Sequence, residues 1–115
     1  MSDIFAGVRG ILKKVLDQHI RAVFLIDRYG TLLTSVSDIS LPKETLSKLC
    51  AVLFGSSERL GENLGKGSPR CIAIEYDGMG VFMVRTMSGK YIVIGVADKC
   101  TEDVRFKLEG VSVKL

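Results

Sequence analysis

The stretch that decides the fold is residues 23–34, VFLIDRYGTLLT, in which four turn-forming residues separate two apolar runs. The first run, 23–26, ends at Asp27, and the second begins soon after Gly30. In a four-residue turn, Asp is favoured at the first position, where its carboxylate accepts backbone N–H groups. Gly is favoured at the last position. The pattern therefore predicts a β-hairpin, and it gives Asp27 a structural role and not a catalytic one.

The elements on either side of this hairpin follow from hydrophobic periodicity and turn residues. An amphipathic helix is predicted over residues 4–16, with Ser2 or Asp3 as its N-cap. The hairpin strands are predicted at 22–26 and 31–36. A loop over 38–42 then leads, through Pro42, into a long helix over 43–63.

The second half of the chain predicts a meander of three strands and a last short helix. The strands are expected at 70–76, 81–85 and 91–97, joined by Gly-containing connections at 77–80 and 87–90. The last helix is expected to begin at Thr101 and to end at Gly110. The order α-β-β-α-β-β-β-α predicts an α+β fold in which a five-stranded antiparallel sheet lies between helices.

Composition narrows the class of protein. The chain has 115 residues, of which 47% are hydrophobic, so we expect one domain over residues 1–115. The net charge of +3 comes from scattered residues of both signs, which argues against a nucleic-acid partner. Cys50, Cys71 and Cys100 form no C-x-x-C pair, which favours reduced thiols and a cytoplasmic protein. We expect no signal peptide and no membrane insertion.

The motifs that could carry chemistry are weak. GENLGKGS at 61–68 resembles a phosphate loop, but its glycines are one residue too close and it leaves a helix instead of entering one. His19 is the one histidine of the sequence, and no nucleophile or metal-ligand pattern surrounds it. We therefore expect no enzyme activity, no metal and no cofactor.

The long helix carries two stripes. We expect the larger one to face the core: Leu46, Leu49, Cys50, Leu53, Ser57, Leu60 and Leu64. A second stripe has small side chains around one aromatic: Ser47, Ala51, Phe54, Glu58 and Gly61. This stripe indicates either close approach of another helix or a broad core face with Phe54 at its edge. The strand CIAIEY at 71–76 has no charge or proline in its first four residues, so it suits an open sheet edge. A two-fold dimer would cover both features.

The element order and three stretches together resemble the Roadblock/dynein light-chain family, from residue 4 to about residue 108. The stretches are VFLIDRYGTLLTS at 23–35, LCAVLFGSSERLGENLGKG at 49–67 and GKYIVIGVAD at 89–98. The resemblance implies a roadblock/profilin-like sandwich and a homodimer in which the central helices pair and the third strands join. It also implies a non-enzymatic platform that regulates or scaffolds a small Ras-like GTPase, as a bacterial gliding-motility relative does when it acts as a GTPase-activating partner.

Carried onto this chain, the resemblance implies two sets of residues. The dimer contacts would be Ser47, Ala51, Phe54, Gly55, Glu58, Ile72 and Ile74. The partner-facing residues would be Lys48, Arg59 and Glu62. On this placement, Phe54→Glu should break the dimer.

Two other functions stay open at this stage. One is a structural subunit of a larger assembly, dynein light-chain-like or paired with a paralogue, without GTPase regulation. The other is a small-molecule sensor built on a profilin-like or PAS-like sheet, although the sequence shows no polar cluster within an apolar pocket.

Overall fold

The computed structural model describes residues 5–115 and contains three helices and five strands. The elements in chain order are α1 Ala6–Val15, β1 Ile20–Asp27, β2 Leu32–Ser37, α2 Lys43–Asn63, β3 Cys71–Tyr76, β4 Met79–Arg85, β5 Tyr91–Ala97 and α3 Glu102–Ser112. This is the predicted order, and α2 has the predicted bounds. The N-cap expected at Ser2 or Asp3 lies outside the described residues.

All five strands form one antiparallel sheet in the order β2-β1-β5-β4-β3. The two hairpin systems are joined by the pairing of β1 with β5, in which Phe24 lies opposite Ile94. The edges of the sheet are therefore β2 and β3. The prediction that 71–76 forms an edge strand is confirmed.

The turn between β1 and β2 has the geometry that its sequence predicts. One carboxylate oxygen of Asp27 accepts the N–H groups of Tyr29 and Thr31, each at 2.9 Å. Gly30 has φ +87°, and a side chain there would lie 2.9 Å from the Cα of Lys48 on α2. Asp27 thus shapes a turn that packs directly on the long helix.

Each face of the sheet carries its own core. On one face α1 and α3 pack over buried residues that include Val23, Phe82 and Leu108. On the other face α2 covers Phe24, Met83 and their neighbours. A sheet between helices is thus the observed architecture, as predicted.

The end of α3 differs from the prediction. The helix continues through Gly110 to Ser112, because the side chains of its last two residues, Val111 and Ser112, are both buried. The Ser112 hydroxyl donates to the Glu109 carbonyl at 2.7 Å and helps to close the last turn. Thr101 caps the start of the helix by accepting the Val104 N–H at 3.3 Å.

A candidate interaction surface on α2 and β3

The face that α2 turns to the sheet is shifted from the one expected, since Cys50 and Leu46 of the expected core stripe pack inward but its other leucines do not. The buried residues of this helix are Ser47, Cys50 and Phe54, and Ala51 packs beside them. The stripe of small residues thus faces the core, because a small side chain lets the helix approach the sheet and the tight turn at Gly30. Ser47 is fully buried, but its hydroxyl donates to the Lys43 carbonyl at 2.7 Å and so stays hydrogen-bonded.

The expectation that Ser47 and Phe54 contact a second chain is therefore wrong. Ser47 has no exposed surface and Phe54 has 1%, so neither side chain can reach a partner. Phe54→Glu would place a charge in the core, so it would unfold the chain instead of testing an interface. Ile72 and Ile74 are half-buried at the β3 edge, on the side of the sheet that α2 covers.

The expected core stripe is wrong for its leucines from Leu49 onward. Five apolar side chains of α2 and its C-cap residue, each 45–66% exposed, lie outside: Leu49, Val52, Leu53, Leu60 and Leu64. Their spacing of three, four and seven residues places them on one side of the helix. A monomer does not benefit from a leucine stripe in water, and contiguous exposed apolar surface marks interaction sites. The sequence indicated that most of these residues form one apolar stripe, but it was wrongly expected to pack against the sheet.

Glu58 belongs to a contact within the chain that the sequence analysis missed. Its carboxylate forms a salt bridge with Arg28, which lies in the β1–β2 turn. The Arg28 guanidinium also lies 5.4 Å from the centre of the Phe54 ring and donates to the Gly89 carbonyl at 2.9 Å. Arg28 thus joins two turns to α2, and its hydrogen bond holds the pKa of Glu58 below the ordinary value.

The remaining predicted residues of α2 are open to a partner. Lys48, Arg59 and Glu62 are exposed, as expected of partner-facing residues. Gly55 is half-buried, and a side chain there would meet no atom within 4 Å. Binding by these residues stays a prediction.

The glycine-rich exit of α2 offers no phosphate cradle. The N–H groups of Lys66 and Gly67 both donate to the Gly61 carbonyl, at 2.8 and 3.2 Å. They are occupied in ending the helix, so they are not free to bind an anion. A side chain at Gly61 would lie 1.7 Å from the Gly67 oxygen, which explains a glycine at this position.

The groups with catalytic potential are dispersed. Over residues 5–115, no three His, Cys, Asp or Glu side chains are grouped so that they could hold a metal ion. His19 is half-exposed, with Nδ1 3.9 Å from the Asp98 carboxylate. Desolvation raises the pKa of Cys50 to about 11 and also raises the pKa values of Cys71 and Cys100, so these thiols stay protonated at neutral pH. No helix in the described part of the chain is long and apolar enough to cross a membrane.

A helix-covered antiparallel sheet with an open edge strand and an apolar outer helix face defines an interaction domain. The sequence matches the Roadblock/LC7 domain family over residues 10–96, and the chain belongs to this family. A comparison with curated proteins finds no match.

Solved structures share the fold at low sequence identity. Myxococcus xanthus MglB is 18% identical, with a TM-score of 0.84 over 97% of this chain and 86% of that one. MglB with a tetrameric arrangement is also 18% identical, with a TM-score of 0.82 over 99% and 93% of the two chains. The Roadblock/LC7 domain from Streptomyces avermitilis is 15% identical, with a TM-score of 0.82 over 98% and 94%.

Proposed function

We propose that this protein is a non-enzymatic homodimeric platform that binds a small Ras-like GTPase and regulates or scaffolds it. The observation that carries the proposal is the leucine stripe on the outside of α2, next to the open edge strand β3, whose Ile72 and Ile74 face the side of the sheet that α2 covers. Together they form a surface that a second copy would cover. Membership of the Roadblock/LC7 family supports an interaction role, and the tetrameric arrangement of a similar MglB supports self-association.

We place the dimer contacts on the exposed leucine stripe of α2, and not on the buried stripe of small residues that the sequence suggested. We expect Leu53→Glu to weaken self-association, because it places a charge within the apolar stripe while the wild-type side chain is 45% exposed. Lys48→Ala is the matched control, since it changes an exposed residue of the same helix outside that stripe. Light scattering over a dilution series measures both. A Leu53→Glu protein that dissociates no more readily than the control would contradict this interface.

The partner part of the proposal assigns Lys48, Arg59 and Glu62 to the GTPase. All three are exposed, so alanine at each position should leave folding intact and reduce binding alone. Arg59 is also the candidate for an arginine that stabilises charge during GTP hydrolysis.

The test is capture with the tagged protein from its native extract, run in parallel with GDP and a non-hydrolysable GTP analogue. Recovery of a small GTPase in one nucleotide state, lost with Arg59→Ala or Lys48→Ala, supports regulation through this surface. Hydrolysis assays with the recovered GTPase then show whether it is activated or inhibited. Recovery of the same large assembly in both states, without a GTPase, would replace the proposal with the structural-subunit function.

A further inference from the structure

The net positive charge of the chain is concentrated on α1. Residues 6–15 carry Arg9, Lys13 and Lys14 and no acidic residue. The whole chain has 16 basic and 13 acidic residues, so without these three cations the two signs are equal in number. The long helix α2 is balanced too, with three residues of each sign over 43–63. The net charge of +3 therefore lies on α1, although charged residues are scattered along the sequence.

The three cations of α1 are exposed, and none of them forms a salt bridge within residues 5–115. Arg9 donates its Nε–H to the Ser35 carbonyl at 3.2 Å, and its terminal nitrogens are further donors. The helix dipole favours Lys13 and Lys14 in the last turn, but it disfavours Arg9 near the start of the helix. Helix stability therefore does not account for the whole set.

The neighbouring helix α3 has a different surface, because its acidic residues are all paired. Glu102 and Glu109 form salt bridges with Arg105, and Asp103 forms one with Lys107. Between these pairs, the outward side of the helix carries apolar side chains. The charges of α3 thus largely cancel one another, and those of α1 do not.

These apolar side chains lie in the same layer as the cations. Phe106 is 66% exposed and Val113 is 57% exposed, and both lie on the side of α3 opposite the buried Leu108. Met87 is 74% exposed and adjoins the end of the helix, where its N–H donates to the Ser112 carbonyl at 3.0 Å. Since α1 and α3 contact each other on one side of the sheet, the cations and the apolar side chains share one surface.

We infer that the surface formed by α1 and α3 docks reversibly on an anionic membrane, with the cations of α1 among the lipid headgroups and Phe106 at the interface. Cations beside exposed apolar side chains are the combination that binds such a surface without inserting a helix across it. The inference does not depend on the proposed homodimer or on a GTPase. The leucine stripe of α2 lies on the other side of the sheet, so both surfaces can be occupied at once.

Two features favour a lipid surface over a protein or a nucleic acid. No large hydrophobic side chain of α1 is exposed, whereas the centre of a protein–protein interface needs aromatic or large apolar side chains. From Arg9 to Lys14 the helix rises only about 8 Å, which is short for a protein that contacts about six to ten phosphates of a DNA duplex. Lipid headgroups move laterally, so they can gather around a small cluster of cations.

A cavity beside α1 is suited to a headgroup phosphate. Arg9 and Lys13 are four residues apart and line an open cavity of about 450 Å³, and Leu16 and Val36 form part of its apolar wall. Asp38 lines the same cavity, where its carboxylate repels an anion. Asp38→Asn should therefore strengthen binding by about fivefold. An increase in binding cannot be a consequence of unfolding.

Co-sedimentation with lipid vesicles tests the inference. The vesicles contain phosphatidylcholine alone or phosphatidylcholine with about one third phosphatidylglycerol. Three cations, at about fivefold each, should give a preference of about 100-fold for the anionic vesicles at low salt. Lys13→Ala combined with Lys14→Ala should weaken binding by about 25-fold and reduce its salt dependence. Phe106→Ser should weaken binding by about tenfold and leave the salt dependence unchanged, because it removes an apolar contact.

The control is Lys66→Ala combined with Lys90→Ala, which removes two exposed cations outside α1 and α3 and should bind as the wild type does. All the substituted side chains are exposed, so circular dichroism should show that each variant is folded. Absence of binding to the anionic vesicles, or an equal loss in the α1 pair and the control pair, overturns the inference. Retention on heparin without binding to vesicles also overturns it and assigns the cations to a soluble polyanion.

Discussion

Two adjacent residues of α2 offer the sharpest test of which face meets the sheet. Phe54 is 1% exposed, while Leu53 is 45% exposed. We expect Phe54→Ala to lower the free energy of unfolding by about 3–5 kcal/mol, since it empties a packed site. Loss of the stacked Arg28 guanidinium adds about 0.5–1 kcal/mol. Leu53→Ala removes a side chain that is half in water, so its cost to a single chain should be about 1 kcal/mol or less.

Urea unfolding followed by circular dichroism measures this difference. A loss of about 4 kcal/mol with a slope of about 2 kcal/mol per molar urea lowers the midpoint by about 2 M for Phe54→Ala. Each protein is measured at two widely separated concentrations, because self-association stabilises the folded chain by mass action. The cost of Leu53→Ala should be largest at high concentration, where the proposed dimer would form, and small at low concentration. Equal costs for the two variants at low concentration would refute the orientation of α2.

The remaining predictions concern stability. The carboxylate of Asp17 pairs with Lys107, which, with two backbone N–H groups, lowers its pKa from 3.8 to about 2. A lowered folded-state pKa stabilises the protein above pH 4, and the gain disappears as the pH falls toward 2. We therefore expect Asp17→Asn to cost about 1 kcal/mol at pH 7, after allowance for screening by water, and almost nothing at pH 2 in urea titrations. A difference that stays constant with pH would contradict this. We also expect Gly30→Ala to cost about 2 kcal/mol or more in thermal unfolding, because φ is +87° and a methyl group would meet the Lys48 backbone. Gly89→Ala is the control, because φ is +76° there but a methyl group would meet no atom, so only the strain of the positive φ should lower its stability. Equal losses of stability for the two variants would show that the contact of Gly30 with α2 is unimportant.

Local patterns predicted the elements well, because short-range chemistry decides them. Asp27 and Gly30 occupy the first and last places of a turn between apolar runs, and the structure has the hairpin that this spacing favours. Pro42 and the helix-forming residues after it gave the bounds of α2. The end of α3 was missed, because a glycine at 110 indicates a stop locally, while the burial of Val111 extends the helix.

The interaction surface was only half predicted. The sequence showed that α2 has two apolar stripes and that β3 suits an edge, and the structure confirms both features. It assigned the leucines to the core, because a larger apolar stripe is ordinarily the buried one. The contact of Arg28 with Glu58 could not be predicted, since it joins residues distant in the chain through the packing of a turn on a helix.

The sequence by itself determined the hairpins, the bounds of α2 and the order of elements, since each depends on neighbours along the chain. Only the tertiary structure decided that β1 joins β5, that α2 turns Ser47 and Phe54 inward, and that its leucines from Leu49 onward stay outside. The physical reason is close approach. Gly30 brings the β1–β2 turn against the backbone of α2, and only a face of small side chains fits there.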